Sequence, residues 1–357
     1  MKIKSISLTG YRGAQSLTLD LHEKLNVFCG VNGSGKSTIL DAVAIMLSWA
    51  VSRIRHSSAS GRHISAGDIT NEKSFAAIEL ACEYNGQAID WKLVKSRTGH
   101  LASGQKSILI TLKEFARKVQ EQITSENEQV NLPIFVYYPV NRAVLDIPLR
   151  IQKKHSFNLL AAYDEALTSG ASFRTFFEWF REREDLENES RKYLDYSQKP
   201  EGFQFPDPHL EAVRNAFALV MPKLRNLTVR RNPLRMDIEK DGKWLTVNQL
   251  SDGEKCLMAM VGDLARRIAI ANPLRKDPLE GSGIVMIDEI DLHLHPKWQR
   301  MIIQKLVEVF PNCQFMISTH SPHILTHVQA ENLFMLEQTD KGIVSEQPNE
   351  SYGKNAL

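Results

Sequence analysis

The sequence predicts an α/β fold with a mostly parallel core sheet, an antiparallel β subdomain and a compact helical insertion. Three observations predict it. The apolar run "KLNVFCG" ends in glycine and leads through a Gly-rich turn into "KSTILDAVAIMLSWAV", whose apolar residues recur at helical spacing. The last third alternates helix and strand in "EKCLMAMVGDLARRIAIA", "GIVMIDE", "PKWQRMIIQKLVEVF" and "CQFMISTH", the order of parallel strands covered by helices. Between these parts, "FNLLAAYDEAL", "FRTFFEWFREREDLENESRKYL" and "PHLEAVRNAFALVMPKL" read as helices, with breaks at Pro200, Pro206, Pro208 and Pro222.

In chain order, Ile3, Ile6 and Leu8, then Leu17, Leu19 and Leu21, read as two strands joined by "GYRGAQ". "FAAIELACEY", "AIDWKLVKS" and "SILITL" are strand-like; a helical stretch and the buried strand of "PIFVYYPVNR" follow. After the helical region, "LTVRRNPLRMDIEKDGKWLTV" returns to strand character. The expected organisation is an N-terminal lobe at 1–144, a mainly helical insertion at 145–235 and a C-terminal lobe at 236–357.

The 357-residue chain is 43% hydrophobic and 24% charged, ordinary values for a globular protein. Its 44 Lys plus Arg balance 42 Asp plus Glu, so the net charge of +2 neither demands nor excludes a polyanionic partner. Cys29, Cys82, Cys256 and Cys313 are scattered without a C-x-x-C pair, which argues against zinc and for buried free thiols in a reducing compartment. "MKIKSISLTGYRG" lacks the apolar core of a signal peptide, and "ILDAVAIMLSWAV" stops short of the roughly 20 residues that span a bilayer. The expected location is the cytoplasm, with no membrane contact.

"GVNGSGKS", Gly30 to Ser37, matches G-x-x-x-x-G-K-[ST] in full and falls between a strand and a helix. Such a loop turns the backbone N–H groups of Asn32, Gly33, Ser34, Gly35, Lys36, Ser37 and Thr38 towards phosphate oxygens at a helix N-terminus. Lys36 reaches the β- and γ-phosphates of ATP, and Ser37 ligates Mg²⁺. "GIVMIDEID" puts two carboxylates at the end of a buried strand, where an unpartnered charge is costly. Asp288 suits outer-sphere contact with Mg²⁺, and Glu289 suits the general base that orients and activates water. "MISTHSPHIL" ends a further buried strand, placing His320 at the carboxyl edge of the sheet, able to hydrogen-bond the γ-phosphate or the attacking water.

"QLSDGEKC" admits two readings. Ser251 and Glu254 form a capping box at a helix start. The same helix start, with Ser251 and the Gly253 backbone, is also an anion site. Beside a complete phosphate loop, a second anion site suggests a sandwich in which one copy covers the nucleotide of another.

Here the residues resemble a known class. "LSDGEK" resembles the LSGGQ-type signature of ABC-class ATPases, with Asp252 where a glycine usually stands. With "GVNGSGKS", "VMIDEID" and "STHSPHIL" it resembles the RecF/SMC/OLD branch. The resemblance implies a two-lobed ABC-type P-loop ATPase head that dimerises, or forms a higher homo-oligomer, around ATP and Mg²⁺. "SLTGYRG" resembles that branch's opening strand, implying that Arg12 approaches the nucleotide. "DEIDLHLHP" resembles its D-loop, implying Asp291 at the subunit interface. "YYPVNR" stands where a Q-loop belongs; without a glutamine, Asn141 and Arg142 both remain candidates. His293 and His295 read as packing or interface residues, with a zinc pair as the alternative.

The segment 145–235 is too short and too proline-broken for an SMC-type rod. Only residues 321–357 follow His320, too few for an OLD-type nuclease domain. "SFRTFFEWFREREDLEN" resembles the Septu-type (PtuA-like) anti-phage ATPases, some of them retron-encoded, implying an HNH-type nuclease partner. The alternatives are a RecF-like repair ATPase that binds DNA directly, a transporter subunit, and a nucleotide-gated scaffold with little turnover. "KLRNLTVRRNPLR" and the Ser/Gly-rich "SRIRHSSASGRH", expected to be mobile, could each contact DNA or RNA or be solvated basic faces.

Overall fold

Strands β1 (Lys2–Tyr11) and β2 (Ala14–Asp20) form the expected first hairpin. In β1, Ile3 and Ile6 are both buried although alternation would put them on opposite faces; the ladder shifts register between Ile3 and Ser5 and restores the inward face. The computed structural model describes residues 1–99, 105–127, 129–140, 158–168, 172–196, 198–199 and 203–348.

Strand β3 (Leu25–Cys29) feeds the phosphate loop and helix α1 (Lys36–Arg55). Strands β4 (Phe75–Tyr84) and β5 (Gln87–Ser96) complete an antiparallel sheet of order β2-β1-β4-β5. The expected strand "SILITL" is a correction: only an isolated bridge between Lys92 and Ile108 forms, and helix α2 (Ile110–Ser125) starts at once. Its buried Leu112, Phe115, Ala116 and Val119 give a helical period, which overrides the β-branched first residues.

After β6 (Ile134–Tyr138) come helices α3 (Phe173–Arg191) and α4 (Pro208–Val220), then strands β7 (Leu224–Arg231), β8 (Leu234–Lys240) and β9 (Lys243–Thr246). "FNLLAAYDEAL", expected as a helix, forms only a 3₁₀ turn at Leu159–Tyr163. The expected boundary at 235/236 falls inside the β7–β8–β9 sheet, so it divides paired strands; the boundary at 144/145 lies outside the described residues. Helices α3 and α4 are built into the core. A Cβ on Gly262 of helix α5 (Asp252–Ala271) would lie 3.0 Å from the Phe176 ring and 3.1 Å from Phe217.

Strand β10 (Gly283–Ile287), helices α6 (Pro296–Gln299) and α7 (Ile302–Val309), and strands β11 (Cys313–Thr319), β12 (Leu333–Thr339) and β13 (Gly342–Glu346) follow. The core sheet has the order β13-β12-β3-β11-β10-β6, parallel except for the final β12–β13 hairpin. Strands from residues 1–144 and 236–357 thus alternate within one sheet. The central strands β10 and β11 are buried along their whole length, as parallel strands covered on both faces must be. Because β3, β11 and β10 are parallel neighbours, their three C-terminal ends leave the same sheet edge side by side. Among the described residues one helix, α1, is long and apolar enough to cross a membrane, and 72% of its apolar window is buried in the protein.

Candidate functional site at the carboxyl edge of the core sheet

The phosphate loop runs from Gly30 into α1. Gly30 and Gly35 hold φ of 150° and 100°, and a Cβ on either would lie 2.3 Å from the β12–β13 hairpin, at Leu336 O and Ile343 Cδ1 respectively. Gly33, at φ 82°, has nothing within 4 Å and faces open space. Asn32, Gly33 and Ser37 are exposed, Gly35 and Thr38 half-buried, Ser34 buried. The N-cap residue of α1, Gly35, gives no side-chain cap to the first N–H groups, the state in which a helix start can accept an anion. The Lys36 ammonium turns back to donate to the carbonyls of Gly30 and Val31, both at 2.9 Å. Burial pushes its pKa below the usual value, and the nearby Asp288 and Glu289 carboxylates oppose that shift.

Asp288, 2% exposed, follows β10 directly, and its N–H donates to Tyr138 O at 2.9 Å. Ser318, at the end of β11, joins the two acidic residues: its hydroxyl donates to the Asp288 carboxylate and accepts the Glu289 N–H at 2.7 Å. Glu289 has a φ of 46°, a left-handed conformation uncommon for a non-glycine residue, shared here with turn residues such as Asn85 and Asp241. Its carboxylate lies 3.8 Å from His320 Nε2, with the two side chains 31% and 30% exposed. A buried strand end therefore presents a solvent-open carboxylate–imidazole pair.

Asp291 accepts from Thr319 Oγ1 at 2.5 Å and from the His320 N–H at 3.3 Å, so it orients the His320 segment within its own chain. Ser251 caps α5 by accepting the Glu254 N–H at 3.4 Å, and its own N–H and hydroxyl donate back to the Glu254 carboxylate at 3.0 and 2.9 Å. Gly253 lies against the segment after Asp291, where a Cβ would approach His293 O to 2.3 Å. No other residue permits this approach without moving the helix start. The structure thus joins 251–254, 288–293 and 318–320 into one contiguous patch. Asp252 is exposed and pairs with Lys255 at 3.4 Å, so its charge is partly answered by its own helix. His293 is exposed with a φ of 65°, and His295 caps α6 by accepting the Lys297 N–H at 3.2 Å.

Arg12 is bound within the chain: its guanidinium pairs with Asp41 of α1 at 2.5 Å and with Asp68 at 2.9 Å. Arg62 pairs with the same Asp41 at 2.8 Å, its N–H donates to Ser48 Oγ at 2.7 Å, and its carbonyl accepts from Trp49 at 2.8 Å. The loop expected to be mobile is thus packed on α1, which itself extends through Arg53 and Arg55. Asn141 and Arg142 lie outside the described residues. Sequence reading missed Ser318, Asp41 and the β12–β13 hairpin behind the loop. Ser318 stood in a quoted strand end; the hairpin is signalled locally by "LFMLEQTDKGIVSE", but its packing behind the loop joins positions some 300 apart.

Comparison with known proteins now decides the family. An AAA-domain profile matches residues 5–202 and a second AAA-domain profile matches 117–326. The "Retron Ec83 probable ATPase" of Escherichia coli is 30% identical, the alignment covering 96% of this chain and 72% of that protein. The chain belongs to the AAA-domain family that includes this retron probable ATPase. The chain is also 23% identical to the "Septu protein PtuA" of Bacillus thuringiensis across 98% of this chain and 80% of that one. Its fold matches an Smc head crystallised with the C-terminal winged-helix domain of ScpA, with a TM-score of 0.55, 15% identity and 98% of both chains covered. The chain therefore has an SMC-head-like α/β fold, in agreement with the sequence expectation.

Proposed function

We propose that this chain binds ATP and Mg²⁺ between two copies arranged head to tail, hydrolyses the ATP, and uses the cycle to regulate a nuclease partner in defence against phage. One observation carries the reading: Lys36 and Ser37, Asp288 and Glu289, and His320 emerge from three neighbouring parallel strands at one sheet edge.

The residues present fit ATP and Mg²⁺. The open face at Gly33, the uncapped N-terminus of α1 and the Lys36 ammonium suit a triphosphate. The Ser37 hydroxyl and the Asp288 carboxylate are hard oxygen donors of the kind that hold Mg²⁺, which supplies charge neutralisation at the phosphates. Lys36 exchanges its two loop carbonyls for phosphate oxygens. Glu289 accepts the proton of the attacking water, and His320 hydrogen-bonds that water or the γ-phosphate. The buried Ser318 link holds Asp288 and the Glu289 backbone in register. Arg12 moves from Asp41 to the nucleotide. Ser251 and the Gly253 backbone of a second copy cover the γ-phosphate, with Asp291 at the shared interface.

The partner assignment rests on the retron and Septu relatives. Co-expression with the neighbouring reading frames tests it: an HNH-type nuclease is expected to co-purify, with cleavage that depends on ATP. A chain that purifies alone from a repair operon, and binds DNA tightly without a nuclease, would instead support the RecF-like reading.

A further inference from the structure

A groove of about 830 Å³ lies away from the sheet edge, between the C-terminal half of α3, the Phe205–Pro206 segment, strand β7 and Trp244 of β9. We propose that it binds single-stranded nucleic acid. The inference does not rest on the ATPase reading.

The distribution of charge across the groove wall favours an anion. Its two acids, Glu184 and Glu187, are buried and engaged inward. Glu187 takes both Arg214 nitrogens at 2.9 Å and the Asp207 N–H at 3.1 Å. Glu184 takes the Thr228 hydroxyl at 2.8 Å, the Val229 N–H at 3.2 Å and Arg231 at 2.5 Å. The cations face out. Arg191 is exposed and lies over the Phe205 ring at 5.7 Å. Arg230 has a 55% exposed side chain and shares one buried carboxylate, Asp237, with Arg235. Two guanidinium groups on one carboxylate leave positive charge in excess. Arg231 also meets the exposed Asp185, so it contributes least.

The second observation is aromatic. Trp244 is 53% exposed, and the Arg230 guanidinium lies 6.0 Å from its ring centre. A half-exposed indole beside a guanidinium, with the Phe205–Arg191 pair on the same groove, offers flat π and guanidinium surfaces in series. Unpaired bases stack on such surfaces while arginines meet the phosphates. An acidic peptide would use the charges but not the rings. A duplex keeps its base faces stacked inside and cannot reach Trp244.

The test uses the full chain and a fluorescein-labelled oligo(dT) of about 16 nucleotides. Oligo(dT) is expected to bind and to quench the fluorescence of Trp244, because Trp49, Trp91 and Trp179 are buried and the half-buried Trp298 of α6 does not line the groove. Trp244→Ala is expected to weaken binding about tenfold or more and remove the quenching. Trp244→Phe should keep the affinity while losing the quenching, which a merely structural role would not produce. Arg191→Ala and Arg230→Ala should each lower the slope of log affinity against log salt by about 0.7. Arg214 and Arg231 are left alone, since they neutralise buried acids. ATP turnover should be unchanged in all four variants. Failure of the wild type to bind oligo(dT), equal affinity in Trp244→Ala, or equal affinity for duplex would overturn the proposal. Displacement of oligo(dT) by poly-glutamate at equal charge would also overturn it, and would identify an acidic protein as the occupant.

Discussion

Glu289→Gln is expected to lower ATP turnover by about 10²- to 10⁴-fold while ATP still binds. The amide is isosteric but cannot accept the proton of the attacking water. The substitution spares the structure around it: Ser318 holds the residue through its backbone N–H, and Asp288 keeps its own contacts with Ser318 and Tyr138. The left-handed φ of 46° also survives, since it belongs to the turn that leaves β10. Phosphate release at saturating ATP, measured beside equilibrium nucleotide binding, separates chemistry from affinity. An unchanged rate would remove Glu289 as the base and favour a nucleotide-gated scaffold.

The largest stability effect is expected at Asp263. On α5 its buried carboxylate accepts from Arg266 at 2.8 Å, Arg267 at 2.7 Å and the Tyr138 hydroxyl at 3.0 Å. The two guanidinium groups hold its pKa below the usual carboxylate range against the opposing effect of burial. Asp263→Ala strands both buried arginines and is expected to cost about 3–5 kcal/mol. Arg267 keeps the carbonyls of Ala162 and Asp164, both at 2.8 Å, but those do not neutralise it. Replacing all three charged residues with apolar residues of similar volume should recover most of the loss. Urea unfolding of the three proteins measures both effects; a loss below about 1 kcal/mol for Asp263→Ala would show that water or rearrangement satisfies the arginines. The same network reaches the site, since Tyr138 carries the carbonyl that takes the Asp288 N–H.

The placement of the candidate site was readable in the sequence wherever chemistry and local pattern coincide. A glycine loop between strand and helix, or two acids after an apolar run, identifies itself within ten residues or so. What escaped depends on contacts distant in sequence. Gly30 and Gly35 look like any loop glycines until β12 and β13 are found behind them. Gly253 looks like part of a helix cap until His293 O is seen at its Cα. Arg12 reads as a nucleotide ligand, yet in this structure Asp41 and Asp68 hold it, and neither carboxylate could be paired with it from spacing alone. The helical segment was expected as an insertion between two lobes, whereas its Phe176 and Phe217 close over Gly262 of α5. "SILITL" failed because a six-residue window cannot show the period that its helix acquires further on.

The central claim is that 251–253 completes the site of another copy. It is tested most directly by the mass of the ATP-bound protein in solution. Glu289→Gln, which retains ATP, is expected to shift to a larger assembly when ATP and Mg²⁺ are added. Adding Ser251→Arg to that variant should leave ATP binding intact and abolish the shift, because the bulky cation blocks the facing phosphate site. The same ATP-dependent assembly in the double variant would contradict the account and leave Ser251 as the cap of its own helix.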